Sequence, residues 1–275
     1  MRAVALGIAA AGLICCQARD WNKPFPPHKV IGNVYFVGTG ELGSFLITTP
    51  EGHVLINSDF ENTVPFIKAN VEKLGFKFTD IKLLLGSHAH IDHMEGDALV
   101  KELTGAKVMA MEQDLPLLLK LKPGGKEHPV DRVLKDGDEV KLGGTTLVAH
   151  LTAGHTPGCT TWTLKTTEAG KSYDVLILGS IGVNPGYILV NNKTYPQIAD
   201  DYVRSFKVLR AMHVDVFLAS HGSFYGLNEK YPRLLKNEPG KDGENPFIDP
   251  AGFQAHIDLK EKEFYAELKK QKKAE

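Results

Sequence analysis

Residues 87–93 read SHAHIDH, which gathers His88, His90, Asp92 and His93 directly behind the apolar run DIKLLLG. Imidazole and carboxylate are the side chains that bind zinc and related cations. On an extended or loop backbone, residues i and i+2 point the same way, so His88 and His90 can face one ion. Asp92 and His93 follow where the chain turns towards the next helix, and they can face a second ion beside the first. The spacing differs from HExxH, whose two histidines lie one helical turn apart. A polar turn with solvated histidines is the competing reading. A buried strand ending in this cluster argues against it, because such a strand aims the side chains into a cleft.

Two later histidines extend the set. LTAGHTPGCTTW holds His155, and VDVFLASHGSFYG holds His221. Either one alone reads more readily as structural than as a ligand. Together with His88 and His90, however, each follows an apolar strand-like run, and loops at strand ends are where α/β scaffolds place chemistry. His88, His90 and His155 supply three nitrogens; Asp92, His93 and His221 supply one oxygen and two nitrogens. Three protein ligands leave a coordination position open, as catalytic zinc requires, whereas a structural zinc site is usually closed by four ligands and rich in cysteine. Outside the extreme N-terminus the chain has only Cys159. His150, on the strand that precedes His155, is the nearest rival; His28, His53, His128, His213 and His256 lie in ordinary contexts.

The elements that must position these residues alternate between strand and helix patterns. NVYFVGTGELGSFLITTPEGHVLINSD reads as three short strands with glycine-containing turns. VPFIKANVEKLGF has Val64, Ile67, Val71 and Leu74 at a helical period and stops at Gly75. DIKLLLGS, KVMAM and VDVFLAS read as strands, EGDALVKELTG as a short helix stopped by Gly105, and QDLPLLLKLKPGGKEHP as helix then loop. DEVKLGGTTLVAHLTA and TTWTLKTTEAGKSYDVLILGS are further strands. IADDYVRSFKVLRAM is a helix with Tyr202, Phe206 and Leu209 on one face, and PAGFQAHIDLKEKEFYAELKKQKKAE is a terminal helix. No linker rich in Pro, Gly or Ser splits the chain. Two comparable halves, each of strands followed by helices, predict two sheets packed face to face with helices outside. That is a four-layer αββα sandwich of the α/β class, in one domain over residues 19–275.

A chain of 275 residues can bury a full core, and 43% hydrophobic with 24% charged residues is ordinary for a globular protein. A net charge of -1, with no basic stripe outside the tail, predicts no nucleic-acid partner. Arg2, the uncharged run AVALGIAAAGLICC and small residues at Cys16 and Ala18 read as a secretory signal peptide over residues 1–18, cleaved after Ala18. An uncleaved anchor and lipid attachment at Cys16 are the alternatives; the run is short for a membrane span. Cleavage predicts a periplasmic protein, a monomer without stable membrane association. Cys159 would then be its sole cysteine, so no internal disulfide is expected.

HxHxDH followed by two histidines at strand ends resembles the metallo-β-lactamase superfamily, whose αββα fold agrees with the pattern above. In VLILGSIGVNPGY, most hydrolases of that fold, glyoxalase II among them, have a metal-bridging Asp, and the B1 metallo-β-lactamases have a Cys. This chain has Ser180 after Gly179. Serine there, with His93 as a ligand, resembles the subclass B3 metallo-β-lactamases. GHTPGCTTW, GSIGVNPGY and NPFIDPAG extend the likeness from about Trp21 to the terminal helix. The resemblance implies two zinc ions per subunit, the first on His88, His90 and His155 and the second on Asp92, His93 and His221. It implies that Ser180 meets a substrate carboxylate, with Asn184 nearby; the second serine of some B3 enzymes is Gly182 here. Phe224 and Tyr225 would line the pocket. Asp59, in INSD, would steady the metal loop, or else cap a turn.

The implied reaction is hydrolysis of a small-molecule β-lactam, and the implied role is antibiotic resistance. Paired zinc ions lower the pKa of a shared water to roughly 7, the resulting hydroxide attacks the lactam carbonyl, and Asp92 helps to orient it. A lactonase or thioesterase of the same fold is the alternative, opposed by the missing bridging Asp. A zinc-binding or storage protein is a third reading, which turnover in the presence of metal would exclude.

Overall fold

Successive residues of a strand point to opposite faces of its sheet, and here both faces are apolar, so the strands must be covered on two sides. In the computed structural model, which describes residues 21–236 and 245–274, seven strands form one sheet in chain order. They are β1 (His28–Ile31), β2 (Val34–Phe36), β3 (Phe45–Thr49), β4 (Gly52–Ile56), β5 (Ile81–Leu85), β6 (Lys107–Met111) and β7 (Arg132–Leu134). Pairing is antiparallel from β1 to β4 and parallel from β4 to β7. In the second sheet β8 (Glu139–Leu142), β9 (Thr145–Leu151), β10 (Thr160–Glu168) and β11 (Lys171–Leu178) pair antiparallel, and β12 (Val216–Ala219) lies parallel to β11. The helices are α1 (Val64–Lys73), α2 (Ile91–Met94), α3 (Asp97–Thr104), α4 (Leu115–Leu118), α5 (Ile198–Arg210), α6 (Gly222–Tyr225), α7 (Leu227–Leu235) and α8 (Pro250–Lys273).

The alternation sorts the side chains into layers. Phe45 and Ile47 of β3, Val54 and Ile56 of β4, and Leu83 and Leu85 of β5 join the core between the sheets. Their neighbours Leu46, Leu55 and Leu84 turn the other way, onto Val64, Ile67 and Val71 of α1 and Val100 of α3. Beyond the second sheet, Tyr202, Phe206 and Leu209 of α5 and Phe253, Ile257 and Phe264 of α8 complete the packing, with Phe253 tilted against Phe217 of β12 at 5.3 Å. Each such side chain contributes about 1.5–3 kcal/mol on burial. The result is the expected four-layer αββα sandwich.

Two local readings change. A fourth strand, β1, precedes the three expected at the N-terminal edge. The helix expected from QDLPLLLKLK is the single turn α4. Its apolar face serves only a small cluster with Ala89, Met94 and Ala110, and Leu119, just past it, is 67% exposed. The expected leader, with Cys16 and its cleavage point after Ala18, lies outside the described residues. Among the described residues no helix is long and apolar enough to cross a membrane.

Candidate metal centre

All six predicted ligands come together at one end of the sandwich. His88 follows β5, His155 lies in the loop between β9 and β10, and His221 follows β12. His90 precedes α2, which carries Asp92 and His93 in its single turn. The rings of His88, His90 and His155 form a nearly equilateral triangle, with centroids 4.7, 4.7 and 4.8 Å apart. Beside it, His93 Nε2 and His221 Nε2 are 3.2 Å apart, and Asp92 Oδ2 lies 3.4 Å from the former and 3.6 Å from the latter. The two triads share a border, since the His88 and His93 rings are 4.3 Å apart. Within each triad one donor atom per residue lies within 4.8 Å of the others. His150, the rival, is spent on Thr163 Oγ1 at 2.8 Å across β9 and β10.

The donors suit a cation. Burial, followed by the neighbouring imidazoles, holds His88 and His93 well below the usual histidine range. Burial also depresses His90 and pushes His155 down to about 3. These rings are therefore neutral, with a lone pair each to give. His155 Nδ1 bonds the Gly182 carbonyl at 2.7 Å, and His88 Nδ1 meets Ser87 Oγ at 3.2 Å. Such bonds fix the tautomer and turn Nε2 towards a metal. His88 Nε2 is buried with no partner in the protein, an orphaned acceptor that an ion would satisfy.

The second layer of contacts explains why the loops hold this shape. Asp114, at the start of α4, is 2% exposed. It accepts from Ala89 N at 2.8 Å, Thr156 Oγ1 at 2.8 Å and Gly158 N at 2.6 Å. One carboxylate thus ties the His88–His90 loop to the His155 loop. A Cβ on Gly158 would lie 2.5–2.7 Å from Asp114, so only glycine permits the approach. Burial raises the Asp114 carboxyl, and these three donors oppose the rise. Trp162 Nε1 donates to the Gly86 carbonyl at 3.0 Å, holding the end of β5 to β10. His221 has its Nδ1 3.5 Å from the Glu41 carboxylate, and Trp21 packs edge-on against its ring at 5.4 Å. Glu41 also takes the Ser223 hydroxyl at 2.6 Å.

Asp59 serves the metal loop and caps no helix. Its backbone is left-handed, with φ at 58°. Its N–H and that of Ser58 both donate to the His93 carbonyl, at 3.2 and 3.0 Å, and its own carbonyl accepts from Gly96 N at 3.0 Å. Burial, opposed by the Ser44 hydroxyl, pushes its carboxyl up to about 8.

Two clefts flank the triads. One, of about 290 Å³, is lined by Asp92, Ser180, Asn184, His221, Phe224 and Lys260 among others. The other, of about 600 Å³, is more apolar, with Leu117, Tyr187, Ile188 and Ile198 in its walls. His90 and His155 line both. Together they offer the volume of a small-molecule site. Ser180, Asn184 and Phe224 therefore lie where the sequence places them. Tyr225 does not: it is 2% exposed, packed in the core against Phe45 and Phe247 at 6.3 and 6.2 Å. The cause is the helical turn α6. Consecutive helical residues diverge by about 100°, so Phe224 meets the cleft and Tyr225 points inward. Tyr187, Glu41, Asp114 and Lys260 were not singled out by their sequence context. Of these only Tyr187 carries a local signal, at the end of GSIGVNPGY; its hydroxyl bonds the His155 carbonyl at 2.9 Å and lies 3.4 Å from His90 Nε2.

Residues 31–221 match the sequence profile of the metallo-beta-lactamase superfamily, and the chain belongs to that superfamily. Among solved structures it is similar to the FEZ-1 metallo-beta-lactamase of Legionella gormanii. The two are 51% identical, with a TM-score of 0.86, over 91% of this chain and 98% of that one. It is also similar to BJP-1, a subclass B3 metallo-beta-lactamase of Bradyrhizobium japonicum, at 38% identity and a TM-score of 0.84, over 93% and 98% of the two chains. A curated relative, a hydroxyacylglutathione hydrolase of Polaromonas sp., is 35% identical over 115 residues, 41% of this chain and 38% of that protein. The chain thus spans less than half the length of the curated relatives it matches. The fold and the close structural matches are those of a hydrolase of the subclass B3 type.

Proposed function

We propose that this protein hydrolyses the amide bond of β-lactams, using two zinc ions, and that it does so in the periplasm after removal of its leader. The observation that carries the reading is the near full-length likeness to FEZ-1, 51% identical over 98% of that chain, joined to Ser180 standing where many hydrolases of the fold have a metal-bridging carboxylate. His88, His90 and His155 would hold one ion, and Asp92, His93 and His221 the other. Zinc in such a site polarises a carbonyl and makes a bound water nucleophilic near neutral pH.

The chain's own groups do the rest. The neutral imidazoles keep their lone pairs turned to the centre. Asp92 presents a carboxylate on the border of the smaller cleft, where it can accept a proton from the attacking water and orient it. Ser180 and Asn184 offer hydrogen bonds to a substrate carboxylate in that cleft, while Phe224 supplies an apolar wall. Tyr187 borders the larger cleft. Burial drives its hydroxyl well above the usual tyrosine range, so it stays a donor. None of the described serines is needed as a nucleophile.

A thioesterase reading rests on the curated hydroxyacylglutathione hydrolase relatives. Side-by-side assays separate the two. Zinc-loaded protein should open benzylpenicillin or a carbapenem much faster than it cleaves a hydroxyacylglutathione thioester. Thioester cleavage with no lactam opening would overturn the proposal.

A further inference from the structure

Helix α8 packs across the smaller cleft. His256 on α8 lies against Phe224 at 5.0 Å, and Phe224 lies in turn against the ligand His221 at 4.9 Å. Residues four apart share a helix face, so Lys260 follows His256 along the same side. Its ammonium lies 5.9 Å from the centroid of the Phe224 ring. The side chain is only 20% exposed, and Lys260 lines the cleft together with Glu41, Asp92, Ser180, Asn184 and His221. Among the described residues it is the only lysine or arginine lining that cleft. Its protein partner is Glu263, at 2.9 Å, whose carboxylate is 51% exposed. An ion pair of that kind contributes little in water, so Glu263 competes weakly with an anion entering the cleft.

We propose that Lys260 is a substrate-recognition residue whose ammonium pairs with the carboxylate beside the ring nitrogen of a β-lactam. The inference rests on the β-lactam reading of the site. Ser180 and Asn184 can aim a carboxylate, but both are neutral. Bringing a full charge into a partly closed cleft is favoured by an opposite charge on the wall itself, in addition to the charge of the metal centre and to hydrogen bonds. Lys260 supplies that charge, and it favours anionic lactams over neutral lactams and lactones.

The test is steady-state kinetics of the zinc-loaded protein and its K260M and K260R variants on benzylpenicillin and on benzylpenicillin methyl ester. Loss of one charge-assisted hydrogen bond should raise KM for the acid about tenfold in K260M, with kcat moving far less. The difference should shrink as salt rises, the ester's KM should hold, and K260R should recover most of the loss. Equal shifts for acid and ester, or no shift with the acid, would overturn the proposal. Calorimetric binding of ring-opened benzylpenicillin separates this inference from the reading beneath it. Absence of turnover by the unaltered protein refutes β-lactam hydrolysis. Equal affinity of unaltered and K260M protein for the ring-opened acid, or no binding by either, refutes the role of Lys260.

Discussion

Replacing Asp114 tests how the two ligand loops are held together. In D114A, Ala89 N–H, Gly158 N–H and the Thr156 hydroxyl lose their acceptor at a position only 2% exposed. Each buried donor left unpaired costs about 1–3 kcal/mol. Local relaxation and entering water offset part of this, so the expected loss is about 4 kcal/mol, a large share of the roughly 5–15 kcal/mol that holds a domain folded. D114N is the sharper variant because it keeps the shape. An amide has one acceptor oxygen, so its NH2 must face either Gly158 N–H or the pair formed by Ala89 N–H and Thr156. We expect D114N to lose about 2 kcal/mol and to bind zinc at His88, His90 and His155 about 10- to 100-fold more weakly, as removal of a supporting contact typically does. Urea unfolding of metal-free protein reads the first effect, and zinc titration against a chelator of known affinity reads the second. Unchanged unfolding midpoint and zinc affinity in D114N would refute the idea that this carboxylate positions the metal loops.

Three further outcomes are expected. Glu41→Gln should weaken zinc at the Asp92–His93–His221 site about tenfold while sparing the other site, because a carboxylate 3.5 Å from His221 Nδ1 orients that ring; stepwise zinc titration distinguishes the two. His28 and His256 are both pushed down to about 4 by burial. Below pH 6.5 the unfolded chain takes up protons that these rings refuse until about pH 4, so stability present above pH 6.5 should fall across that window by about 3 kcal/mol for each, and H256F should flatten the slope of the urea midpoint against pH in metal-free protein. Mass spectrometry of protein recovered from a bacterial periplasm should show a chain beginning at Arg19, whereas an intact Met1 or a lipid on Cys16 would contradict cleavage after Ala18.

The two candidate ligand groups were legible in the sequence because their geometry is local. The spacing of His88, His90, Asp92 and His93 already assigns them to the two groups that meet in the structure, and His155 and His221 join these groups by following apolar strands. The layers were legible too, since the periods of β3 to β5 and of α5 encode two-sided burial. What sequence could not reveal arises from distant packing. Asp114 matters only because α4 brings it between two loops, Glu41 because its loop lies against His221, and Lys260 because α8 folds back over Phe224. Tyr225 was misplaced for the opposite reason: it is one residue from a cleft residue, but a single helical turn reverses what adjacency suggests.

Benzylpenicillin hydrolysis by chelator-stripped protein as zinc is restored, with bound zinc counted at each step, shows whether two adjacent zinc sites open a lactam ring. No turnover is expected without metal, activity should rise with zinc to a plateau at two ions per chain, and H221A should stop at one ion that is inactive or weakly active. Undiminished hydrolysis by stripped protein, or no hydrolysis with both sites filled, would contradict lactam opening by the two zinc sites.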